Sequence, residues 1–298
     1  MLDFTPITLD DRQRMSTLLQ KGHRGALEYN FTSNFMWRKI VHLQKAEIND
    51  FLVVRSGENE DDVSYIFPSG EGDVKPIIDA LISHHKEKGT ALSFNTVLSK
   101  DKETLEALYP GQFEYTELRD AFDYVYLAES LRTLKGKKLA AKRNHINRFI
   151  ENNPGWVYEE ITLENLAQVK EMSREWCRIA GCQDNEELFE ESCAVEQAFK
   201  HYEALGLEGG LIRVEGRIVA FAMGEPLSDD TYVVHIEKAF YDIQGAYQII
   251  NREFARARTE GFEYINREDD TGDEGLRKAK LSYNPAFLVE KYKAVWKG

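Results

Sequence analysis

The chain has 298 residues, of which 42% are hydrophobic and 11% aromatic, a composition typical of a folded globular protein and not of a disordered one. Its formal net charge of −13 at pH 7 argues against a protein whose whole surface binds nucleic acid or anionic lipid, although local patches can still do so. The length predicts two domains.

The amino terminus and the apolar runs indicate neither export nor membrane insertion. Residues 1–6 lack a basic segment followed by an apolar stretch, so they do not resemble a secretory signal. The longest apolar runs, such as residues 218–223, fall far below the roughly 20 residues that cross a bilayer as a helix. We therefore expect a cytoplasmic protein with no transmembrane segment.

Neither the cysteines nor the acidic stretches indicate a metal site. Cys177, Cys182 and Cys193 form neither a C-x-x-C pair nor zinc knuckles, so we expect reduced thiols that pack as small hydrophobic side chains. Residues 269–280 begin like a calcium loop, but the glycine comes late and Lys280 stands where the closing glutamate belongs.

The first half of the chain alternates helical and strand-like segments, which predicts a mixed α/β domain over residues 1–130. The predicted elements are a helix at 10–20, an aromatic segment at 29–38, strands at 51–55 and 64–67, a helix that Pro76 opens and a strand at 91–97.

The second half, residues 131–298, contains a strong hairpin signature, two apolar runs within residues 209–223 joined at Glu215 and Gly216. We expect Ser130 to cap a long helix that continues to about residue 150. A strand predicted at 120–127 closes the first half, and the other predicted elements of the second half are strands at 156–161, 231–237, 262–266 and 286–292, and helices at 163–179, 186–205, 246–260 and 275–281. This order resembles that of an N-acetyltransferase-type (GNAT) fold, with helices, an antiparallel meander, a helix, a strand, a helix and a strand.

The most informative polar stretch is residues 264–285, where five carboxylates at the end of a strand are followed by basic side chains. Such a cluster of ion pairs perturbs pKa values and often marks a functional site. The alternative is a solvated acidic turn that caps a helix. The candidate residues are Asn266, Arg267, Glu268, Asp269, Asp270, Arg277, Lys278, Lys280, Ser282 and Tyr283.

A second group of candidates lies just upstream. His235, Glu237 and Lys238 close a strand, and Gln244 and Gly245 open the following helix, whose free N–H groups suit phosphate or a developing oxyanion. The full pyrophosphate loop of acetyl-CoA enzymes is not present in register. His235 alone is more typical of a structural histidine.

A third group is the basic segment at residues 135–149, which holds six formal positive charges and no acidic residue. Lys138, Lys142 and His145 share the spacing of one helix face. The segment predicts either a solvated face or a rim that binds the phosphates of RNA, a lipid headgroup or a nucleotide. The rim residues are Lys137, Lys138, Lys142, Arg143, His145 and Arg148.

Four segments, residues 29–38, 135–149, 235–239 and 266–285, together resemble the phosphatidylglycerol lysyltransferase C-terminal domain family over nearly the whole chain. Members of that family are similar to Fem-type peptidyltransferases, in which two GNAT-like domains are fused and an aminoacyl-tRNA donates its amino acid. The resemblance implies an α/β (α+β) protein with two tandem GNAT-like domains and mixed central sheets. It also draws attention to Tyr29, Asn30, Trp37 and Arg38 in the first domain.

The expected reaction is acyl transfer to an amine or hydroxyl of a small molecule or lipid headgroup, with aminoacyl-tRNA as co-substrate and no covalently bound cofactor. Glu237 or Glu268 would take the acceptor proton, and Tyr283 would return one to the leaving group. The basic residues Arg277, Lys278 and Lys280 would hold donor phosphate. Two alternatives remain open: an acyl-CoA-dependent N-acetyltransferase of a small amine, and a non-catalytic binding module on the same fold.

Overall fold

The computed structural model describes residues 3–22, 25–59 and 62–298, and the chain divides into two units. Unit 1 contains Met1–Asp123 and Val289–Gly298, and unit 2 contains Tyr124–Leu288. The predicted boundary near residue 130 therefore needs a correction. The first unit ends at Asp123, and the last ten residues do not belong with residues 131–288, because they supply a strand to the sheet of unit 1.

The strands and helices alternate along both units. The strands are β1 (Thr5–Pro6), β2 (Gln44–Ile48), β3 (Phe51–Ser56), β4 (Ser64–Ile66), β5 (Ser69–Gly70), β6 (Ser93–Leu98), β7 (Phe113–Glu117), β8 (Asp123–Leu127), β9 (Val157–Glu160), β10 (Glu208–Val214), β11 (Arg217–Pro226), β12 (Thr231–Ala239), β13 (Tyr264–Asn266), β14 (Phe287–Val289) and β15 (Lys291–Trp296). The helices are α1 (Arg12–Lys21), α2 (Phe31–Trp37), α3 (Lys75–Lys88), α4 (Ser99–Leu108), α5 (Ala128–Thr133), α6 (Ala140–Asn152), α7 (Leu166–Ala180), α8 (Glu186–Lys200), α9 (Tyr202–Leu205), α10 (Ala246–Arg258) and α11 (Glu274–Leu281).

Unit 1 is built on a mixed eight-stranded sheet in the order β1-β2-β3-β4-β6-β15-β7, with β5 paired to β3. Helix α3 begins with Pro76 in its first turn and buries Ile77, Ile78 and Leu81 against this sheet. Gly89 ends the helix with a φ of 71°, which glycine adopts without steric cost.

A buried lysine joins three distant parts of unit 1. The Lys291 ammonium lies 2.7 Å from Asp123 Oδ1 and 2.9 Å from Glu28, and the other Asp123 oxygen accepts a hydrogen bond from the Leu27 N–H. Lys291 and Asp123 are both fully buried. Removing one partner of such a cluster leaves an uncompensated charge away from water.

We expect Lys291→Ala to lower the free energy of unfolding by about 3–5 kcal/mol, because two carboxylates then lose their buried cation. Lys293→Ala, at an exposed position of the same strand, is the matched control and should change stability little. Urea unfolding followed by circular dichroism measures both, and equal stability of the two variants would show that the cluster contributes nothing.

Unit 2 contains a seven-stranded sheet in the order β14-β8-β13-β12-β11-β10-β9. The predicted hairpin is confirmed: β10 and β11 are antiparallel and turn at Glu215 and Gly216, which both have positive φ, as a type I′ turn requires. Strand β12 pairs antiparallel with β11, and α10 then returns the chain so that β13 lies parallel to β12.

Strands β12 and β13 separate soon after they pair. Their parallel register extends only from Thr231 opposite Tyr264 to Val233 opposite Asn266, although β12 continues to Ala239. His235 has no partner in β11, because the register shifts there in a β-bulge, and a bulge bends a strand and increases its twist. The second half of β12 and the residues after β13 therefore border the region in which the two strands are no longer paired, here called the gap.

Three local predictions are wrong. The long helix after Ser130 is two helices, α5 and α6, because Leu134 takes a left-handed φ of 51° and ends α5; Ser130 lies within that helix. The last predicted strand is likewise divided, since β14 pairs with β8 in unit 2 and β15 with β6 and β7 in unit 1.

The cysteines also differ from the prediction. Cys177 and Cys182 form a disulfide, and only Cys193 is free, so the expectation of three reduced thiols holds for one. The two cysteines come together because α7 ends at Ala180, and Gly181 turns the chain back with a φ of 76°.

Within residues 3–22, 25–59 and 62–298, no helix has the length and apolar character that a membrane crossing requires.

Candidate functional site

Two polar stretches that are distant in sequence meet at the gap between β12 and β13. Glu237 Oε1 lies 3.0 Å from Arg267 Nη2, and His235 Nδ1 lies 2.8 Å from Glu268 Oε1. Because β13 ends at Asn266, Arg267 and Glu268 come directly after it and face the second half of β12.

Both oxygens of Glu237 are engaged. Oε1 accepts from Arg267, and Oε2 accepts from Asn251 Nδ2 at 2.9 Å. Asn251 lies on α10 and is 4% exposed, while the Glu237 and Arg267 side chains are 13% and 12% exposed. The neighbouring carboxylate requires the amide nitrogen of Asn251 to face it, which turns the amide oxygen away.

Two buried polar atoms beside this ion pair have no partner. Arg267 Nη1 and Asn251 Oδ1 form no hydrogen bond with any described residue. An unsatisfied buried donor or acceptor costs about 1–3 kcal/mol. One buried N–H donor and one buried carbonyl acceptor therefore remain unpaired beside the Glu237 carboxylate.

Aromatic rings form one wall of the site. The Arg267 guanidinium carbon lies 4.9 Å from the ring centre of Tyr283 and 5.6 Å from that of Tyr126, and Lys142 Nζ lies 4.1 Å from the Tyr283 ring centre. Burial raises the pKa of the Tyr283 phenol, which stays protonated at neutral pH. Burial and the charge of Arg267 lower the pKa of Lys142.

A second charged group lies beside the first. The His235 ring is bonded on both nitrogens, by Glu268 at Nδ1 and by Glu225 at Nε2, 3.1 Å away. Burial opposes the charged ring, but the hydrogen bonds to Glu225 and Glu268 prevail and raise the pKa of His235 to about 9. Glu268 has a φ of 58°, a left-handed conformation that is uncommon outside glycine.

The acidic loop after β13 is held by the basic residues that follow it. Asp270 is buried, and it accepts hydrogen bonds from Tyr124 Oη at 2.5 Å and from Arg277 Nη2 at 2.6 Å. Burial raises the pKa of Asp270, but these hydrogen bonds outweigh it and lower the pKa to about 2. Lys280 donates to the backbone oxygens of Arg267, at 2.6 Å, and Asp269.

The structure places Arg277 and Lys280, which were expected to bind donor phosphate, in hydrogen bonds with the acidic loop. Both side chains are committed to shaping the loop that carries Arg267. Lys278 and Ser282 are exposed and, with Arg277, line a surface cavity of about 540 Å³ beside α11.

Gly245 faces protein and not an open anion site. A Cβ at this position would lie 2.4 Å from the His145 carbonyl oxygen on α6, and the residue has a φ of 85°. Gly245 thus permits α10 to pack against α6. This packing closes the predicted phosphate site at the start of α10 on the side of Gly245. Gln244, the neighbouring residue, is exposed.

The other predicted residues of the basic segment differ in their exposure and in their hydrogen bonds. Lys137, Lys138 and Arg148 are exposed, and His145 is half-buried. Arg143 donates to the carbonyl oxygens of Gly136, at 2.8 Å, and Leu134, so it stabilises the break between α5 and α6.

Lys238 points away from Glu237, toward α7 and α8. Its ammonium bonds both oxygens of Glu191 at 2.6 and 2.7 Å and lies 3.9 Å from the Trp176 ring centre. It therefore does not join the group around Arg267.

The motif in unit 1 has structural roles. Asn30 caps α2 by accepting from the Ser33 N–H at 2.8 Å, and Tyr29 Oη donates to the Phe67 carbonyl at 3.2 Å. The Arg38 guanidinium carbon lies 3.5 Å from the ring centre of Phe35. Trp37 is half-buried at the end of the same helix.

Sequence reasoning missed Asn251, Tyr126 and Glu225. The signal for Asn251 was present in weak form: it is the polar residue on the buried side of a helix whose neighbours Ile249, Ile250 and Phe254 are apolar. Across the described parts of the chain, no group of three or more histidine, cysteine or acidic side chains is arranged to hold a metal ion.

His235 predicts how stability varies with pH. The pKa of His235 in the folded protein lies above the ordinary value near 6.5. Its contribution to the free energy of unfolding, on the order of 3 kcal/mol, is therefore complete below about pH 6.5. That contribution is lost as the pH rises through about 9. We expect His235→Gln to flatten the fall in unfolding free energy over this interval, measured by urea titrations at several pH values. The half-buried His201→Gln should retain the fall, and an unchanged slope in His235→Gln would contradict the assignment.

The chain is similar to several solved structures. It is 42% identical to a conserved protein of unknown function from Bacteroides thetaiotaomicron, with a TM-score of 0.95 and full coverage of both chains. L-PGS from Bacillus licheniformis is 17% identical, with a TM-score of 0.66 over 97% of this chain and 92% of that one. A tandem GNAT protein from the clavulanic acid biosynthesis pathway is 8% identical, with a TM-score of 0.52 over 100% and 99% of the two chains. The predicted tandem GNAT-like α/β fold is confirmed.

Sequence comparison gives the same grouping. A protein of Mycoplasmoides gallisepticum is 25% identical over 178 residues, and this match covers 57% of the chain and 54% of that relative, so the chain spans about half the length of the curated relative it matches. Residues 20–295 match the family described as phosphatidylglycerol lysyltransferase, C-terminal. The chain, which has the fold of an acyltransferase, therefore belongs to the phosphatidylglycerol lysyltransferase C-terminal family.

Proposed function

We propose that the protein is an aminoacyltransferase, which moves the amino acid of an aminoacyl-tRNA to an amine or hydroxyl acceptor at the Glu237–Arg267 site. One observation supports this function above others. The buried ion pair is flanked by one unpartnered acceptor, Asn251 Oδ1, and one unpartnered donor, Arg267 Nη1.

An α-aminoacyl ester has the complementary groups. Its ammonium would donate to Asn251 Oδ1 and interact with the Glu237 carboxylate, and its carbonyl oxygen would accept from Arg267 Nη1. An acetyl group has the carbonyl but no ammonium, and would leave the Asn251 oxygen unsatisfied. The site is thus better matched to an aminoacyl donor than to an acetyl donor.

The chemical step follows from these contacts. The acceptor nitrogen or oxygen attacks the ester carbonyl, a new C–N or C–O bond forms, and Arg267 Nη1 stabilises the negative charge on the carbonyl oxygen. The ester bond to the ribose then breaks. Lys142, whose pKa is lowered by burial and by Arg267, takes the acceptor proton after giving its own to water, and the Tyr283 phenol donates to the departing ribose oxygen.

This assignment replaces the two glutamates first considered as bases. Glu237 is bonded on both oxygens, and Glu268 Oε1 faces a protonated histidine, so neither is well placed to accept a proton. Glu237 instead orients Arg267 and Asn251.

The surroundings of the site favour tRNA over coenzyme A as the carrier. The exposed cations Lys137, Lys138 and Arg148 can contact several phosphates. The start of α10, which the sequence suggested as a site for phosphate or an oxyanion, packs against α6 at Gly245. Because charged tRNA is a cytoplasmic molecule, the proposal includes a cytoplasmic location.

The test is transfer of label from aminoacyl-tRNA carrying radioactive amino acids into a cell extract that supplies small-molecule and lipid acceptors. We expect Arg267→Lys to lower turnover by about 10²–10³-fold, because the donor to the carbonyl oxygen is displaced. Asn251→Ala should mainly raise KM for the donor. Arg252→Lys, which alters an ion pair with Glu253 elsewhere on α10, is the control and should transfer at the wild-type rate.

Label that is transferred from acetyl-CoA and not from aminoacyl-tRNA would contradict the proposal in favour of an N-acetyltransferase. Tight tRNA or ligand binding with no product from either donor would contradict it in favour of a binding module.

A further inference from the structure

A second cavity lies between α7 and α8 of unit 2, away from the Glu237–Arg267 site. Its volume is about 460 Å³, within the range of small-molecule sites. Cys177, from the disulfide, and Cys193, the free cysteine, both line it. The cavity therefore brings a disulfide and a third cysteine to one opening.

The two sulfurs of the disulfide differ in access. Cys177 is half-buried and lines the cavity, whereas Cys182 is 2% exposed and does not line it. Thiol–disulfide exchange requires the attacking thiolate to reach one sulfur while the other leaves. An attacker inside the cavity can reach Cys177, with Cys182 as the leaving group.

The charges around the cavity select the attacker. Lys170, Arg174 and Arg178 line it, against the single carboxylate of Glu196, which bonds Lys170 and lies 3.7 Å from Arg174. Arg178 is exposed and makes no ion pair with the described residues. The excess of positive charge favours a thiol that carries carboxylates and stabilises its thiolate.

We propose that Cys177 is a site of reversible S-thiolation by a small anionic thiol that binds in this cavity. The thiolate attacks Cys177 Sγ, a mixed disulfide forms, and the Cys177–Cys182 bond breaks. Cys182 leaves as a thiolate and takes a proton from water. The reverse attack by Cys182 on Cys177 expels the small thiol and restores the disulfide, so no other oxidant or reductant enters the exchange.

The modified segment is connected to the strand that carries Glu237. Trp176, the residue before Cys177, donates from Nε1 to the Ala239 carbonyl at 3.0 Å. Glu191, two residues before Cys193, holds Lys238 next to Glu237. Opening the disulfide frees the end of α7 beside these two contacts.

The experiment uses the full chain purified without reductant. The protein is incubated with reduced glutathione, as the anionic thiol, or with cysteamine, as a cationic thiol, then quenched with acid and mapped by peptide mass spectrometry after alkylation of free thiols. We expect glutathione on Cys177 and the alkyl label on Cys182. The rate ratio of glutathione to cysteamine should fall at least tenfold in Arg174→Ala/Arg178→Ala, whose two altered positions are both exposed.

Cys193→Ser is a second variant and should retain the adduct on Cys177. Three free thiols in the protein before treatment would overturn the proposal, as would an adduct confined to Cys182 or Cys193. A rate ratio unchanged in the double arginine variant would overturn the selection for an anionic thiol. None of these outcomes depends on aminoacyl transfer, so this inference and the proposed function fail separately.

Discussion

The ion pair between Glu237 and Arg267 is the interaction on which the site depends. Both charges are largely removed from water, and such a pair is stable only if its remaining donors and acceptors are satisfied. Asn251 satisfies the second oxygen of Glu237, but Arg267 Nη1 and Asn251 Oδ1 stay without partners among the described residues. This arrangement stabilises the fold less than a fully bonded cluster would.

The surrounding structure fixes the two partners of this pair. The β-bulge at His235 separates β12 from β13, so that Arg267 can turn toward Glu237. Lys280 donates a hydrogen bond to the Arg267 carbonyl oxygen. Arg277 forms an ion pair with the buried Asp270, which lies three residues after Arg267. Arg277 and Lys280, two of the residues that were expected to bind phosphate, thus support the loop that carries Arg267.

The sequence predicts well what depends on local pattern. Alternating apolar residues around Glu215 and Gly216 predict the central hairpin, and the order of elements resembles the GNAT fold. Local pattern does not predict contacts between distant segments. The return of β15 to unit 1 and the packing of Gly245 against α6 depend on the assembled sheet and helices. Asn251 was missed because one polar residue in an apolar helix pattern does not reveal which carboxylate it will meet.

We propose that the unpaired atoms beside the ion pair recognise an α-amino group together with its carbonyl. Isothermal titration calorimetry with amino acid methyl esters and their N-acetylated forms tests it directly. We predict that the wild-type protein binds the free esters at least tenfold more tightly than the acetylated ones, and that Asn251→Ala abolishes this difference. Equal binding of the two forms, or a difference that persists in Asn251→Ala, would contradict the account.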